Sequence, residues 1–388
     1  MLRRRALPVL IGVGVLLSAT GGWAQAAAGH PTSAPGWRPV SQQGPANGVT
    51  YVGGFVATGP KDAWSTWSSC DPCGGANPKV DVWLEHWAGL AWRRVSVPSD
   101  IRPFVGFVNG MAASSPSDLW LFTTGRAAHW NGKHWGIMKI PSWVVRYNLS
   151  GDVALTVADF GPGNLWVFSS GIDSFKPTVP FAARYNGHRW TKAVLPAIPG
   201  LVSVVGPDDI WASAVSGING KPLLMHWNGT SWSKMSQPKP AHVPAHYSAQ
   251  VGGLLAVGPS DVWMEQDIEK GLGISRTQYL LHWNGSKWSY IPIGFPASYI
   301  QNMAPDGHGG LWLSDVEATR AQLRYLAHFN PSAGRWGRQL VPPPPGMGVQ
   351  QLLTLNQIPG TSSMWAAGGV FPVHSTTIVI GEIWKYGP

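Results

Sequence analysis

The chain has 388 residues, a formal net charge of +9, 44% apolar and 12% charged residues, 48 Gly and 34 Pro. That composition excludes a charged disordered polymer and describes a turn-rich globular chain. Lys and Arg are scattered singly or in pairs such as Arg93-Arg94, which excludes a basic stripe suited to a phosphate backbone, so no nucleic-acid partner is expected.

The N-terminus has the order of a secretory signal. Arg3, Arg4 and Arg5 precede the uncharged apolar run Ala6 to Leu17, and small residues follow at Ala24, Ala26, Ala27 and Ala28. The run is short against the roughly 20 apolar residues of a membrane span, so residues 1–28 read as a cleavable leader and 29–35 as a linker. Cleavage within Ala24–Ala28 removes three arginines and lowers the formal charge from +9 to +6. The expected location is secreted or envelope-associated, with no membrane span after cleavage.

Beyond the leader a repeat emerges. Gly59-Pro60-Lys61-Asp62-Ala63-Trp64 is followed by Ser115-Pro116-Ser117-Asp118-Leu119-Trp120 and Gly161-Pro162-Gly163-Asn164-Leu165-Trp166. Further copies end at Trp211 and Trp263, and weaker ones at Trp312 and Trp365. Six intervals span the 301 residues from Trp64 to Trp365, about 50 each, the period of propeller blades. A second signature trails the first: His129-Trp130-Asn131-Gly132 leads to Trp135, His226-Trp227-Asn228-Gly229 to Trp232, and His282-Trp283-Asn284-Gly285 to Trp288. Asn-Gly between apolar runs predicts a tight hairpin with a type I′ turn.

The unit ending near 293 illustrates the strands: Val251 to Val257, Val262 to Asp267, Gln278 to Trp283 and Lys287 to Ile291. The expected fold is therefore all-β, a seven-bladed β-propeller of four-stranded antiparallel blades, at approximately 51–98, 105–141, 152–196, 200–238, 249–293, 300–342 and 349–388. The last unit stops at Pro388 without an outermost strand. Gly36-Trp37-Arg38-Pro39-Val40-Ser41 resembles the missing piece, so residues 36–44 are expected to complete the last blade and close the ring.

The unit resembles a kelch repeat of the galactose-oxidase central-domain type, most closely in His328-Phe329-Asn330-Pro331-Ser332-Ala333-Gly334-Arg335-Trp336. It departs from that family in keeping the Gly pair of the second strand clearly only at Gly368-Gly369. It is also similar to Trp-rich propeller repeats of exported bacterial proteins. Neither the Arg cluster, Tyr and acid of sialidase propellers nor the copper ligands of galactose oxidase can be found.

Repetition marks architecture. The seven repeat tryptophans are expected between blades, and His86, His129, His226, His282 and His328, held apart by radial symmetry, are expected to bond turn or backbone groups of their own blades. Function is expected in the unrepeated connections, on the face opposite the short turns. Trp143, Tyr147, Phe175, Tyr247, Phe295 and Tyr299 are aromatics there without counterparts in other units, suited to sugar rings or partner patches or else to packing their own loops. His246 joins them as a binding candidate. With His242 and Tyr247 it is the nearest approach to a metal set, but that loop lacks carboxylate and Cys, so no metal or other cofactor is expected.

Two readings of function follow. One is a non-catalytic monomer that binds an extracellular or envelope glycan or protein. The other is a carbohydrate-active hydrolase or lyase using Glu265 and Asp267 with Asp315 and Glu317, acids that follow the repeat Trp in adjacent units. Cys70-Asp71-Pro72-Cys73, the only Cys pair, is expected to form a disulfide that staples a loop of the first blade.

Overall fold

The computed structural model describes residues 36–44, 48–73, 79–106, 108–123, 125–144, 155–169, 180–214, 223–235, 247–270, 275–291, 293, 300–315, 324–373 and 378–387. Strand β1 (Trp37–Gln43) comes first. Blade 1 is β2 (Val49–Gly59), β3 (Asp62–Asp71), β4 (Lys79–Trp87) and β5 (Trp92–Val95), and the short helix α1 (Arg102–Gly106) leads out of it. Blade 2 is β6 (Gly110–Ser115), β7 (Asp118–Thr123), β8 (Arg126–Trp130) and β9 (Trp135–Lys139). Blade 3 is β10 (Leu155–Asp159), β11 (Leu165–Ser169), β12 (Phe181–Tyr185) and β13 (Trp190–Val194). Blade 4 is β14 (Pro199–Gly206), β15 (Asp209–Ala214), β16 (Leu224–Trp227) and β17 (Trp232–Met235). Blade 5 is β18 (Tyr247–Gly258), β19 (Asp261–Lys270), β20 (Ser275–Trp283) and β21 (Trp288–Ile291). Blade 6 is β22 (Ile300–Pro305), β23 (Leu311–Asp315), β24 (Arg324–Asn330) and β25 (Arg335–Val341). Blade 7 takes β26 (Met347–Gln357), β27 (Met364–Pro372) and β28 (Ile380–Tyr386) from the end of the chain.

Each of the seven sheets is a four-stranded antiparallel meander, and the first strand of each blade lies against its counterparts in neighbouring blades around the axis. The seventh sheet runs β1-β28-β27-β26, so its outer strand is supplied by the N-terminal segment. Trp37 pairs with Tyr386 and Gln43 with Gly381. The fold is a seven-bladed β-propeller closed by its first strand, as the truncated last repeat implied.

The core is a cycle of interblade clusters. Trp64 packs on Leu119 and Leu121 of blade 2, and Trp120 on Leu165 and Val167 of blade 3. Trp166 meets Ile210 and Met225, Trp211 meets Ala256 and Val262, and Trp263 meets Leu311 and Leu313. Trp312 meets Ala366 and Trp384, and Trp365 returns to Trp67 and Trp87 of blade 1. A large side chain at the same strand position in every unit fills the wedge between two twisted sheets, which is why the period is so visible in the tryptophans.

The two sequence signatures are bonded to each other. The turn aspartate accepts from the histidine of the third strand: Asp62–His86 at 2.6 Å, Asp118–His129 at 2.7 Å, and Asp209–His226, Asp261–His282 and Asp306–His328 at 2.8 Å. Each imidazole also lies over its repeat Trp with ring centroids 4.0–4.4 Å apart. In blade 3, Asn164 and Arg184 take these places, with the guanidinium over Trp166. The Trp after the histidine donates its indole N–H to the turn proline carbonyl, as Trp87 does to Pro60 and Trp227 to Pro207, both at 3.0 Å.

The Asn-Gly turn differs from the expected two-residue type I′ form. Trp130 pairs with Trp135, leaving four residues between them, and Asn131 N–H bonds the His134 carbonyl. The Asn131 side-chain oxygen accepts from the N–H of Lys133 and His134, and Gly132 takes a φ of 85°. The same loop recurs at Asn186, Asn228 and Asn284. Asn here closes the loop through its side chain while Gly alone supplies the left-handed residue.

Candidate functional site

The short-turn end of the ring is thus occupied by repeated Asp, His and Trp. Departures from the repeat concentrate at the opposite end. Blades 1 and 5 extend there: β19 continues to Lys270 and β20 begins at Ser275, so residues 268–270 and 275–277, beyond the expected strand ends at Asp267 and Gln278, prolong a hairpin. Asp267 pairs with both Gln250 and Gln278, and Ile268 with Thr277. Strand pairing continues because the side chains alternate without Gly or Pro until residue 271.

The position two residues after the repeat Trp has a structural task. The inner strand bulges beside it in blades 1, 4 and 6, and a hydroxyl accepts the N–H exposed by the bulge. Gly54 donates to Thr66 Oγ1 at 2.7 Å, Leu201 to Ser213 Oγ at 3.0 Å, and Asn302 to Ser314 Oγ at 2.9 Å. In blade 5 the bulge between Val251 and Gly253 faces Glu265 instead. A Cβ at Gly252 would collide with Glu265 Oε2 and come within 2.8 Å of Asp267 Oδ2, so the glycine makes room for both carboxylates.

Glu265 and Asp267 lie on one face of β19, as their alternation requires. Gln278 from β20 bridges them, its Nε2 donating to Glu265 Oε1 at 2.9 Å and to Asp267 Oδ1 at 3.2 Å. Both acids are 1% exposed, so the pair lies beneath the surface of the ring. Trp263, on the same face, packs against Leu311 and Leu313 of blade 6, and Asp315 is the next residue but one along β23 from Leu313. Asp315 is the last residue of β23, and its backbone pairs with Ile300. Glu317 lies outside the described residues.

Three further buried acids were not singled out by sequence. Glu85 accepts from Trp83 Nε1 at 3.2 Å and from Gln43 of β1, and burial pushes its carboxyl up to about 7. Glu382 is fully buried between Trp384 and Ile380 on β28, and burial raises its carboxyl well above the ordinary range. Asp159 is pushed up to about 6 by burial and by the charge of Asp118, which its own hydrogen bonds to His129 and Ser114 hold low against the cost of burial. Nothing repeats at these positions, so periodicity could not mark them. A charged residue inside a run of strand apolars, such as Glu382 in Ile380-Gly381-Glu382-Ile383-Trp384, was the available signal.

Of the aromatic candidates, Trp143 is half-buried and packs edge-on against Phe181, with centroids 5.6 Å apart, and beneath the Lys192 ammonium. It thus reaches from the connection after blade 2 onto the third and fourth strands of blade 3. Tyr247 opens β18, where it pairs with Lys270. Tyr147, Phe175, His246, Phe295 and Tyr299 lie outside the described residues. Cys70 and Cys73 are bonded, S–S 2.09 Å, at the end of β3. Among the described residues, no three His, Cys, Asp or Glu side chains group closely enough to share a metal ion. No helix there is long and apolar enough to cross a membrane.

No protein-family pattern and no curated protein sequence matches the chain. Similarity lies in solved structures. An oligogalacturonate lyase in complex with manganese superposes with a TM-score of 0.50 at 9% identity, over 91% of this chain and 97% of that one. The WD40 domain of SCAP from fission yeast gives 0.44 at 10% identity, over 94% and 91%. The extracellular domain of a hybrid two-component system from B. thetaiotaomicron gives 0.40 at 12% identity over 69% of this chain, which spans about a third, 34%, of that one. At such identities the likeness is one of fold. The fold is shared with the lyase; the chemistry is not thereby assigned.

Proposed function

We propose that the protein is an exported, non-catalytic β-propeller that binds a glycan or a protein partner through the face carrying its long connections. The observation that supports this is the asymmetry of the ring: one end is given over to the repeated Asp–His–Trp bonding, and the departures from the repeat collect at the other. Chemistry used identically in five blades stabilises blades, whereas a specific partner needs a surface that differs around the ring.

A second reading is supported by Glu265, Asp267 and Gln278. Two carboxylates sharing an amide in blade 5, with Asp315 ending the second strand of the next blade, are the raw material of a carbohydrate hydrolase or lyase. Their burial favours the first reading, since a reacting sugar would have to reach beneath the surface.

The deciding experiment is glycan-array binding run beside turnover of the bound polysaccharides. Binding without turnover, kept in Glu265→Gln, supports the binding protein. Turnover that Glu265→Gln or Asp315→Asn abolishes, with binding kept, replaces it with the enzyme.

A further inference from the structure

We infer that the outer wall between blades 1 and 2 carries a binding groove for an acidic polysaccharide, with Arg94 and Arg102 as its anion-binding end. Where the proposed function leaves the partner's class open, this names a glycan of defined charge and a place outside the loop-bearing face.

The groove is built by an unrepeated element. The connection from β5 to β6 folds into α1, which buries Ile101, Phe104 and Val105 against Trp64 and Leu84 in the wedge between the blades. That anchoring fixes Arg102 at the start of the helix, beside the outer strand. There a cavity of about 430 Å³ is lined by Val82, Trp83, Arg94, Val95, Ser96 and Arg102, among others. A second cavity, of about 390 Å³, shares Val95 and Ser96 with the first and continues to Trp135, Lys133 and His134 of blade 2. The two cavities adjoin through Val95 and Ser96, which line both at the outer edge of blade 1.

Its charge is one-sided. Arg94 and Arg102 bond the two oxygens of a single carboxylate, Asp81, at 2.6 and 2.9 Å. One acid between two guanidiniums leaves an excess positive charge, and Lys133 adds another at the far end. Arg94 is 50% and Arg102 51% exposed, so donors not used by Asp81 face solvent. The Arg94 guanidinium carbon also lies 4.8 Å from the centre of the Trp83 ring, a cation–π contact that restrains its fork before any ligand arrives.

A planar guanidinium with free donors suits carboxylate or sulfate oxygens, and two adjoining cavities of about 430 and 390 Å³ suit sugar units better than a small ion. Trp135 offers the apolar surface on which a pyranose face packs. The net charge, +6 once Arg3, Arg4 and Arg5 are removed with the leader, adds long-range attraction for a polyanion.

The test measures binding of alginate, dextran sulfate and neutral dextran by titration calorimetry at two salt concentrations. Carboxylate and sulfate as sources of the anion are separated by the first two polymers. Wild type should bind at least one of them and not neutral dextran, more weakly at the higher salt. Arg94→Gln with Arg102→Gln should lower the affinity at least tenfold. Ser96→Glu, which leaves both arginines and Asp81 in place and puts a negative charge at the junction, should do the same. Lys234→Gln, an exposed cation on the outer strand of blade 4, should change nothing. No binding of either acidic polymer, an equal loss in Lys234→Gln, unchanged affinity in Ser96→Glu, or tighter binding of a DNA duplex than of both polymers would each overturn the inference. Array binding lost while alginate binding is kept would count against the loop-face reading alone.

Discussion

Trp263→Ala tests the cycle of wedges directly. Trp263 is 2% exposed and joins Leu280 of its own blade to Leu311 and Leu313 of the next, with His282 laid on its ring at 4.2 Å. Truncating a buried Trp removes its transfer free energy and leaves a cavity that two rigid sheets cannot collapse, a cost of about 3–5 kcal/mol. A ring of roughly 350 residues unfolds with an entropy of about 0.7 kcal/mol/K, at about 2.1 cal/mol/K per residue. The melting temperature should therefore fall by about 4–7 °C, a small shift for so large a defect because the whole ring unfolds together. Differential scanning calorimetry of Trp263→Ala, Trp120→Ala and Trp312→Ala measures it, and the three should agree closely because each fills a wedge with an imidazole stacked on its ring. Trp288→Ala, on the outer strand and partly exposed, should shift less. Unchanged melting in Trp263→Ala, or a larger loss in Trp288→Ala, would refute the assignment of the repeat Trp as the interblade wedge.

Removing residues 1–44 takes away β1 and exposes the edge of β28, and should lower the melting temperature well beyond removal of residues 1–34; equal melting would defeat the closure. Asp209→Ala strands both His226 and the Trp211 indole N–H and should cost about 1–3 kcal/mol in urea unfolding. Gly252→Ala should displace Glu265 and Asp267 and destabilise blade 5, whereas Gly206→Ala, where a Cβ meets nothing within 4 Å, should be mild. Stability should depend on pH through Glu85. A carboxyl raised to about 7 in the fold contributes fully below the ordinary 4.5 and loses that contribution as pH rises through 7, about 3 kcal/mol in all. Glu382 and Asp159 act in the same direction. Melting temperatures should thus fall from pH 5 to pH 8, and Glu85→Gln should flatten the slope.

The fold was legible because its determinants recur. Trp64 and its six counterparts announce the same local solution seven times over, and the turn prolines and Asn-Gly loops repeat it in most units, so a single ambiguous unit could be read from its neighbours. The pairing of Asp62 with His86 was half-legible: the histidines were expected to bond turn groups, but only the structure identifies the aspartate two residues before the Trp as the partner. The loop at Asn131 was misjudged in type because the Asn side chain replaces a backbone bond, which the dipeptide alone does not reveal. The candidate site was far less legible. Glu265 and Asp267 are adjacent in register as alternation demands, yet their burial depends on Gly252 of another strand and on a bulge that no local pattern announces. Arg94 and Arg102 become neighbours only through Asp81 and the helix between them.

The seam at blade 7 also sets an order of events in time. Trp37 is among the first residues of the ring to be made, and its partner Tyr386 is nearly the last. Until the final strand appears, β1 has no sheet to join, and the first and last wedges, Trp37 against Trp312 and Trp365 against Trp67, stay open to water. A nascent chain can stack its early blades one upon another, but it cannot become a ring before β28 has been made. The seam works as a check on completeness: a chain that ends early keeps an unpaired N-terminal strand and presents itself to chaperones or proteases as unfinished.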